Sequence, residues 1–237
     1  MIATVCLPTY NEHENLEPMV RALGEVLPEG GRVLVIDDSS PDGTGEIADQ
    51  LAEELGYVSV LHRPEKQGLG RAYLAGFHRA LADGADLILE MDCDFSHNPK
   101  DVPRLIAATE SADVAIGSRY VPGGGTENWG LVRRFISRGA SLYTQVLLMP
   151  VHDPTSGFKC FRRAVLERID LDAIHSRGYA FQIENVYRAI RAGFTVTEVP
   201  ITFVDRHTGT SKMSRSIVFE AIVKVPALRL ATLRGTL

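Results

Sequence analysis

The chain is poor in cysteine and tryptophan, with three and one among 237 residues, and it has no long apolar run. Cys6, Cys93 and Cys160 are far apart, odd in number and without C-x-x-C spacing, which argues against a disulfide framework or a zinc site and points to a reducing compartment. The longest stretch without charge or histidine, residues 139–151, falls short of the roughly 18 apolar residues of a spanning helix. The expectation is a chain that does not cross a membrane by itself. The opening Met1-Ile-Ala-Thr-Val-Cys-Leu lacks the basic start and cleavage pattern of a signal peptide, so a cytoplasmic location is expected. No Ser/Gly/Pro-rich linker or charge block divides the sequence, which reads as a single domain over 1–237. The net charge of -5, with no basic stripe interleaved with aromatics, gives no case for nucleic acid.

What is present is a core. Hydrophobic residues make up 45% and charged residues 23% of the chain, the balance of a globular protein. Short apolar, β-branched runs at residues 3–7, 32–36, 58–61, 87–91 and 114–116 read as buried strands. Helix-period segments at 15–26, 43–55 and 70–81 lie between them. This alternation predicts an α/β fold with a mostly parallel sheet flanked by helices. After about residue 120 come a Gly-rich loop (122–125), a helix over 131–148, a short strand at 158–161, a helix at 181–192, a strand at 195–199 and an amphipathic helix from 216. The division expected is a nucleotide- and metal-binding half, 1–118, and an acceptor-binding half, 119–237.

Ligands of open parallel sheets bind at the carboxyl ends of strands. Three polar segments occupy such ends: Pro8-Thr-Tyr-Asn-Glu12, Asp37-Asp-Ser-Ser-Pro-Asp-Gly43 and Asp92-Cys-Asp-Phe-Ser-His97. The Gly-x-Gly-x-x-Gly fingerprint of dinucleotide sites is missing after the first strand, and Gly68-Leu-Gly70 reads as a structural turn. Asp92 and Asp94, one residue apart, offer carboxylates to a hard divalent cation that leaves positions open for phosphate oxygens. Asp38 reads either as an acceptor for the ring nitrogen and amino group of a base or as a helix cap; Asp42 and Thr44 are the better caps, which leaves Asp38 to a ligand.

Taken in order, Leu-Pro-Thr-Tyr-Asn-Glu-x-Glu-Asn-Leu (7–16), Ile-Asp-Asp-Ser-Ser-Pro-Asp-Gly-Thr (36–44), Met-Asp-Cys-Asp-Phe-Ser-His (91–97), Gly-Ser-Arg-Tyr (117–120), Ser-Gly-Phe (156–158) and Arg-x-x-Gly-x-Ser-Lys (206–212) resemble the motifs of polyprenyl-phosphate (dolichyl-phosphate) mannosyltransferases of glycosyltransferase family 2. The resemblance spans nearly the whole chain. It implies a GT-A fold, GDP-mannose as donor, polyprenyl phosphate as acceptor, Mg2+ or Mn2+, and inversion to a β-mannosyl phosphate lipid. By position it implies that Pro8, Tyr10, Glu12, Ile36 and Asp38 form the nucleoside pocket and that Asp92, Cys93 and Asp94 meet the diphosphate, with Asp92, Asp94 and Ser96 as metal contacts. Many relatives carry Gln at the Ser96 position, so a third metal contact there is expected to pass through water. Arg119, Arg206 and Lys212 are implied around the donor and acceptor phosphates, and Arg133 and Ser137 toward the lipid phosphate; with Asp94, these four cationic residues form the expected catalytic set.

A phosphate monoester is already an anion near neutral pH, so it needs cations rather than a general base. Asp153 is read as shaping the site rather than as a base, and neither Glu184 nor His97 is given a catalytic role. Residues 135–149 and 216–233 join apolar positions to basic flanks, which suits helices lying on an anionic membrane surface or packed on the core. Peripheral contact with the cytoplasmic membrane face is expected, and an integral-membrane anchoring subunit is an additional candidate partner. The alternatives are transfer of glucose from UDP-glucose to polyprenyl phosphate, and a non-catalytic subunit that binds a nucleotide sugar.

Overall fold

The computed structural model describes residues 1–176, 178–205 and 215–235, the side chains of 215–221 excepted. The chain runs β1 (Ala3–Thr9), α1 (His13–Val26), β2 (Arg32–Asp37), α2 (Thr44–Glu54), β3 (Val58–His62), α3 (Leu69–Ala82) and β4 (Leu87–Glu90). A 3-10 turn at Pro99–Asp101 leads to α4 (Val102–Ala108), β5 (Val114–Ser118), β6 (Gly125–Glu127), α5 (Leu131–Leu147) and β7 (Lys159–Arg162). Then follow α6 (Arg163–Arg168), α7 (Gly178–Arg191), β8 (Val196–Pro200), β9 (Thr202–Val204) and α8 (Arg215–Leu233).

Seven strands form one sheet in the order β3-β2-β1-β4-β7-β5-β8. β1, β2, β3 and β4 are mutually parallel, as are β5 and β8, whereas β7 runs antiparallel to both β4 and β5. The run around 158–161 is therefore a strand, as its composition indicates, but Phe158 lies ahead of it. The order reverses at β1, with β2 on one side and β4 on the other, which opens a crevice at their carboxyl ends.

Strand residues alternate between two cores, as the period of two demands. Cys6, Leu34 and Ile36 face α3, α7 and α8, while Val5, Leu7, Val33 and Val35 face α1 and α2. Gly76 lets α3 lie close to the sheet, since a Cβ there would come within 2.6 Å of Ile36 Cδ1 and 3.3 Å of Cys6 Sγ.

Some features lack a local signal. The segment containing α4 has no strong amphipathic pattern and forms a helix under β5. Part of the Gly-rich loop continues into β6, which pairs in parallel with β9 from Gly125 opposite Thr202 to Glu127 opposite Val204. The last helix, read as core packing or membrane surface, has one apolar face packed on the body and another left exposed. On α8, Val225 and Leu228 are buried against the body, and Lys224 reaches Glu184 of α7 at 3.3 Å. Ile222, Val223, Leu230 and Leu233 of the same helix are exposed. No helix among the described residues is long and apolar enough to cross a membrane.

Candidate active site

The loops after β1, β2 and β4 each hold one non-glycine residue in the left-handed region: Asn11 (φ 58°), Ser39 (φ 53°) and Phe95 (φ 58°). Such backbone is unfavourable for an L side chain and persists where its surroundings over-determine it, which is common at ligand sites. Cross-loop hydrogen bonds brace the first two: the Asn11 N–H donates to Ser40 Oγ at 3.2 Å, and the Ser39 hydroxyl donates to the Arg63 carbonyl at 2.8 Å. Asp42 Oδ1 accepts from the Thr44 backbone N–H at 3.1 Å and from its hydroxyl, and Asp42 Oδ2 accepts from the His13 N–H at 3.2 Å. Thr44 Oγ1 accepts in turn from the Glu12 N–H at 3.0 Å. The β1 and β2 loops are thereby tied together; the N-cap of α2 is Gly43, neither Asp42 nor Thr44, and Asp42 just ahead of it accepts from the first helical N–H.

Asp38 is not left open to a ligand alone. Its Oδ1 accepts from Arg63 Nη1 at 2.5 Å, in a buried pair that follows β2 and β3. Burial pushes the Asp38 carboxyl up from its ordinary value and Arg63 opposes the shift. Nearby, Lys66 lies 3.6 Å from the Tyr10 ring centroid, a cation stacked on an aromatic face. Tyr10, Pro8 and Glu12 are partly exposed along this crevice. Ile36 is fully buried and packs its side chain beneath α3, so its contact with the crevice runs through backbone. Arg63 and Lys66 escaped the sequence reading, although the segment that follows β3 obeys the same strand-end rule as the others.

Below the β4 loop, Tyr73 donates from its hydroxyl to Asp92 Oδ1 at 3.4 Å, and the Ser96 N–H donates to Asp94 Oδ1 at 3.0 Å. Cys93 is buried between the two carboxylates; burial, followed by the charges of Glu12, Asp94 and Asp92, pushes its thiol far up. It is a small apolar filler here, not a nucleophile. His97 is buried, its ring stacked on Phe158 at 5.0 Å between centroids and edge-on to Phe203 at 5.2 Å. Burial lowers its pKa to about 4, which keeps it neutral near pH 7.

The fit of a divalent cation can be judged from these donors. Asp92, Asp94 and the Ser96 hydroxyl offer oxygen only, and Ser96 Oγ is buried without a hydrogen-bond partner among the described residues. An all-oxygen set with few protein ligands suits Mg2+ or Mn2+, which keeps positions for water and phosphate oxygens. The residues present fit the group.

The cationic residues divide. Arg119 is buried, with its Nε and Nη2 donating to Asp153 Oδ2 and Oδ1 at 2.7 and 2.6 Å, and Nη2 also donating to Thr155 Oγ1 at 2.9 Å. Asp153 is wholly buried and accepts from the Arg119 backbone N–H as well, at 2.9 Å. It shapes the site, and the guanidinium is directed at it. Arg133 pairs with Asp205 at 2.7 Å and stacks 4.2 Å from the Trp129 ring. The Tyr120 hydroxyl donates to Ser137 Oγ at 2.6 Å. Arg133 and Ser137 stand together on α5 and line one cavity of about 400 Å³, whose other walls include Ile136, Ala140, Tyr143, Ile183, Ile222 and Val225. Arg206 and Lys212 lie outside the described residues. Within the described residues the nucleoside candidates, the two carboxylates and Ser96 follow the carboxyl ends of neighbouring strands β1, β2 and β4, while Arg133 and Ser137 line a separate cavity on α5.

Comparison with known proteins bears on the family and the fold. The family model described as Glycosyl transferase family 2 matches residues 4–170. A polyprenol monophosphomannose synthase from Mycolicibacterium smegmatis is 50% identical over 224 residues, covering 93% of this chain and 84% of that protein. An undecaprenyl-phosphate mannosyltransferase from Micrococcus luteus is 50% identical over 226 residues, covering 95% and 93%. In architecture, the glucosyl-3-phosphoglycerate synthase of Mycobacterium tuberculosis, solved with Mn2+, UDP and glucosyl-3-phosphoglycerate, superposes with a TM-score of 0.70 at 19% identity, over 95% of this chain and 80% of that one. That likeness bears on the fold, which is GT-A as expected. With a carboxylate pair at the end of β4, a parallel sheet that reverses at β1 and a family match across most of its length, this chain belongs to glycosyl transferase family 2.

Proposed function

We propose that this chain transfers mannose from GDP-mannose to a polyprenyl phosphate, with inversion, at the cytoplasmic face of a membrane. The reading rests above all on one juxtaposition. Arg133 and Ser137, suited to a phosphate, line the same cavity of about 400 Å³ as a set of apolar side chains suited to an isoprenoid tail. The two relatives named for mannosyl transfer to polyprenyl acceptors, each half identical along nearly the whole chain, support the same substrate pair.

In this reading the base lies by Asp38 and Arg63, with Tyr10 and Lys66 beside it. Asp92, Asp94 and Ser96 hold the divalent cation, which when bound neutralises charge on the departing diphosphate. A lipid phosphate oxygen attacks the anomeric carbon from the face opposite the diphosphate; a new C–O bond forms as the bond to GDP breaks, and no proton need be removed from the nucleophile. Arg133 holds the acceptor phosphate, and Asp153 keeps Arg119 from straying within the dry floor of the site. Arg206 and Lys212 are assigned the remaining phosphate contacts.

The membrane lies against α5 and α8. Leu131 (80% exposed), Phe135 (82%) and Val146 (75%) of α5 project outward with exposed Arg134 and Arg138 on the same helix. Apolar insertion together with basic residues matches an anionic lipid surface. This face is also where an integral-membrane anchoring subunit would seat.

The test is direct. Purified protein supplied with GDP-mannose, polyprenyl phosphate and Mg2+ or Mn2+ forms a mannosyl lipid, and both chelation and Asp92→Ala abolish it. Absence of product from the wild-type protein, or an Asp92→Ala variant as active as wild type, defeats the proposal. UDP-glucose offered in parallel forms no glucosyl lipid.

A further inference from the structure

We propose that Gln182 reads the sugar: its amide nitrogen donates a hydrogen bond to a hydroxyl of the hexose being transferred, and that hydroxyl donates to the Asp92 carboxylate. The inference rests on the glycosyl-transfer reading above and adds the side chain that recognises the transferred group.

Gln182 lies on α7 and is 2% exposed. Its Oε1 accepts from Lys159 Nζ, and Lys159 is itself wholly buried, donating to the Ser156 carbonyl at 2.5 Å and lying 3.4 Å from Glu90 Oε2. An ammonium has donors only, so the amide must present its oxygen to Lys159 and turn its nitrogen away. Lys159 is thus a positioning residue that decides the orientation of the glutamine.

The nitrogen so directed has no hydrogen-bond partner among the described residues, although it is buried. One of its two hydrogens lies toward Glu90, whose carboxyl burial pushes up while Lys159 and then Gln182 oppose that shift. The other side is open. A Cβ added at Gly157 would lie 3.7 Å from Gln182 Nε2, 3.8 Å from Asp92 Oδ2 and 3.8 Å from His97 Cε1. The amide nitrogen and the Asp92 carboxylate therefore border one gap, kept open by the missing side chain of a partly exposed glycine. A buried donor without an acceptor is costly, and a ligand oxygen in this gap removes the cost.

The surroundings choose the oxygen. A phosphate oxygen accepts but cannot donate, so it offers the Asp92 carboxylate no hydrogen bond. A hydroxyl accepts from Nε2 and also donates to the carboxylate. Sugar hydroxyls are the groups of this kind that lie next to a nucleotide diphosphate.

Two variants test the assignment by titration calorimetry with GDP and GDP-mannose in the presence of Mn2+. Gln182→Met keeps the shape and removes the donor together with the Lys159 acceptor, which the second variant leaves in place. Gly157→Ala places a methyl group in the gap at ordinary contact distances, so folding persists. Both are expected to bind GDP like the wild type and to lose roughly 3- to 10-fold affinity for GDP-mannose, the worth of one neutral hydrogen bond. Among deoxymannose donors, one analogue loses the same factor on wild-type protein and none further on Gln182→Met. Equal loss for GDP and GDP-mannose, undiminished GDP-mannose affinity in both variants, or a deoxy series in which no analogue behaves this way overturns the inference. Wild-type protein that fails to bind GDP-mannose overturns the donor assignment and this inference with it, whereas intact wild-type affinity with unchanged variants overturns this inference alone.

Discussion

Replacing Asp153 with asparagine removes one charge and almost no volume from the buried pair that anchors Arg119. Arg119 is 8% exposed and Asp153 is wholly buried, so neither charge is well hydrated in the folded state. The carboxylate accepts two guanidinium bonds at 2.6 and 2.7 Å and a backbone bond at 2.9 Å. Taking one partner from a buried pair leaves the other charge uncompensated, at a cost of about 3–5 kcal/mol. For a chain of this size each kcal/mol lowers the melting temperature by roughly 2–4 °C, which predicts a drop of roughly 6–20 °C. Urea unfolding followed by circular dichroism, with scanning calorimetry alongside, measures both quantities. The double variant Arg119→Met with Asp153→Leu removes both charges and is expected to recover most of the loss, because well-packed apolar replacements of buried pairs are often neutral or better. An Asp153→Asn protein less than about 1 kcal/mol weaker than wild type refutes the reasoning, since it would mean that the guanidinium reaches water once released.

Three further outcomes follow from particular contacts. Asp113 Oδ2 accepts from the Thr195 backbone N–H and hydroxyl at 2.8 and 2.7 Å, and these bonds, the backbone one first, hold its carboxyl below the ordinary value. A depressed folded pKa means that the unfolded chain binds the proton more readily, so the stabilisation is complete above the unfolded value near 4 and fades as pH falls through the folded one. Asp113→Asn should therefore cost about 1–2 kcal/mol at pH 7, and the deficit should narrow in acid below about pH 4; a constant deficit in urea titrations across pH contradicts it. Gly76→Ala, whose Cβ would press into Ile36, should lose about 1–3 kcal/mol through overpacking, and an unchanged unfolding midpoint would show that α3 has room to move. Phe135→Glu with Val146→Glu should release the protein from anionic vesicles in flotation assays, since each large apolar side chain contributes about 1.5–3 kcal/mol on burial, while the melting temperature stays put because both residues are exposed. Retention on vesicles would place the membrane contact elsewhere.

Much of the architecture was legible in the chain because buried parallel strands are continuous apolar runs. Residues 3–7 and 32–36 announce β1 and β2 through composition alone, and Gly43 and Gly68, both at positive φ, mark the starts of α2 and α3. The polar segments at strand ends were legible for the same reason: a sheet that buries its strands in apolar runs leaves their carboxyl ends as the place where polar residues such as Asp38, Asp92 and Asp94 gather. Beyond that rule the signals stop. The antiparallel direction of β7 and the β6–β9 pair depend on partners far along the chain, and no local propensity encodes them.

Side-chain partnerships were equally hidden. Asp38 looked available for a base, yet Arg63 holds it, and Arg119 looked aimed at phosphate, yet Asp153 receives its guanidinium. Gln182 carried no motif of its own, and its role emerges only because Lys159, from a strand elsewhere in the chain, turns its amide. What the sequence by itself determined was most of the strands and helices of the first half, the family and the residue types at the crevice, since periodicity and strand-end polarity are local properties. Which charges face one another, which donor is left without an acceptor and which helix faces stay bare were decided by tertiary structure alone, because burial and pairing are set by neighbours distant along the chain.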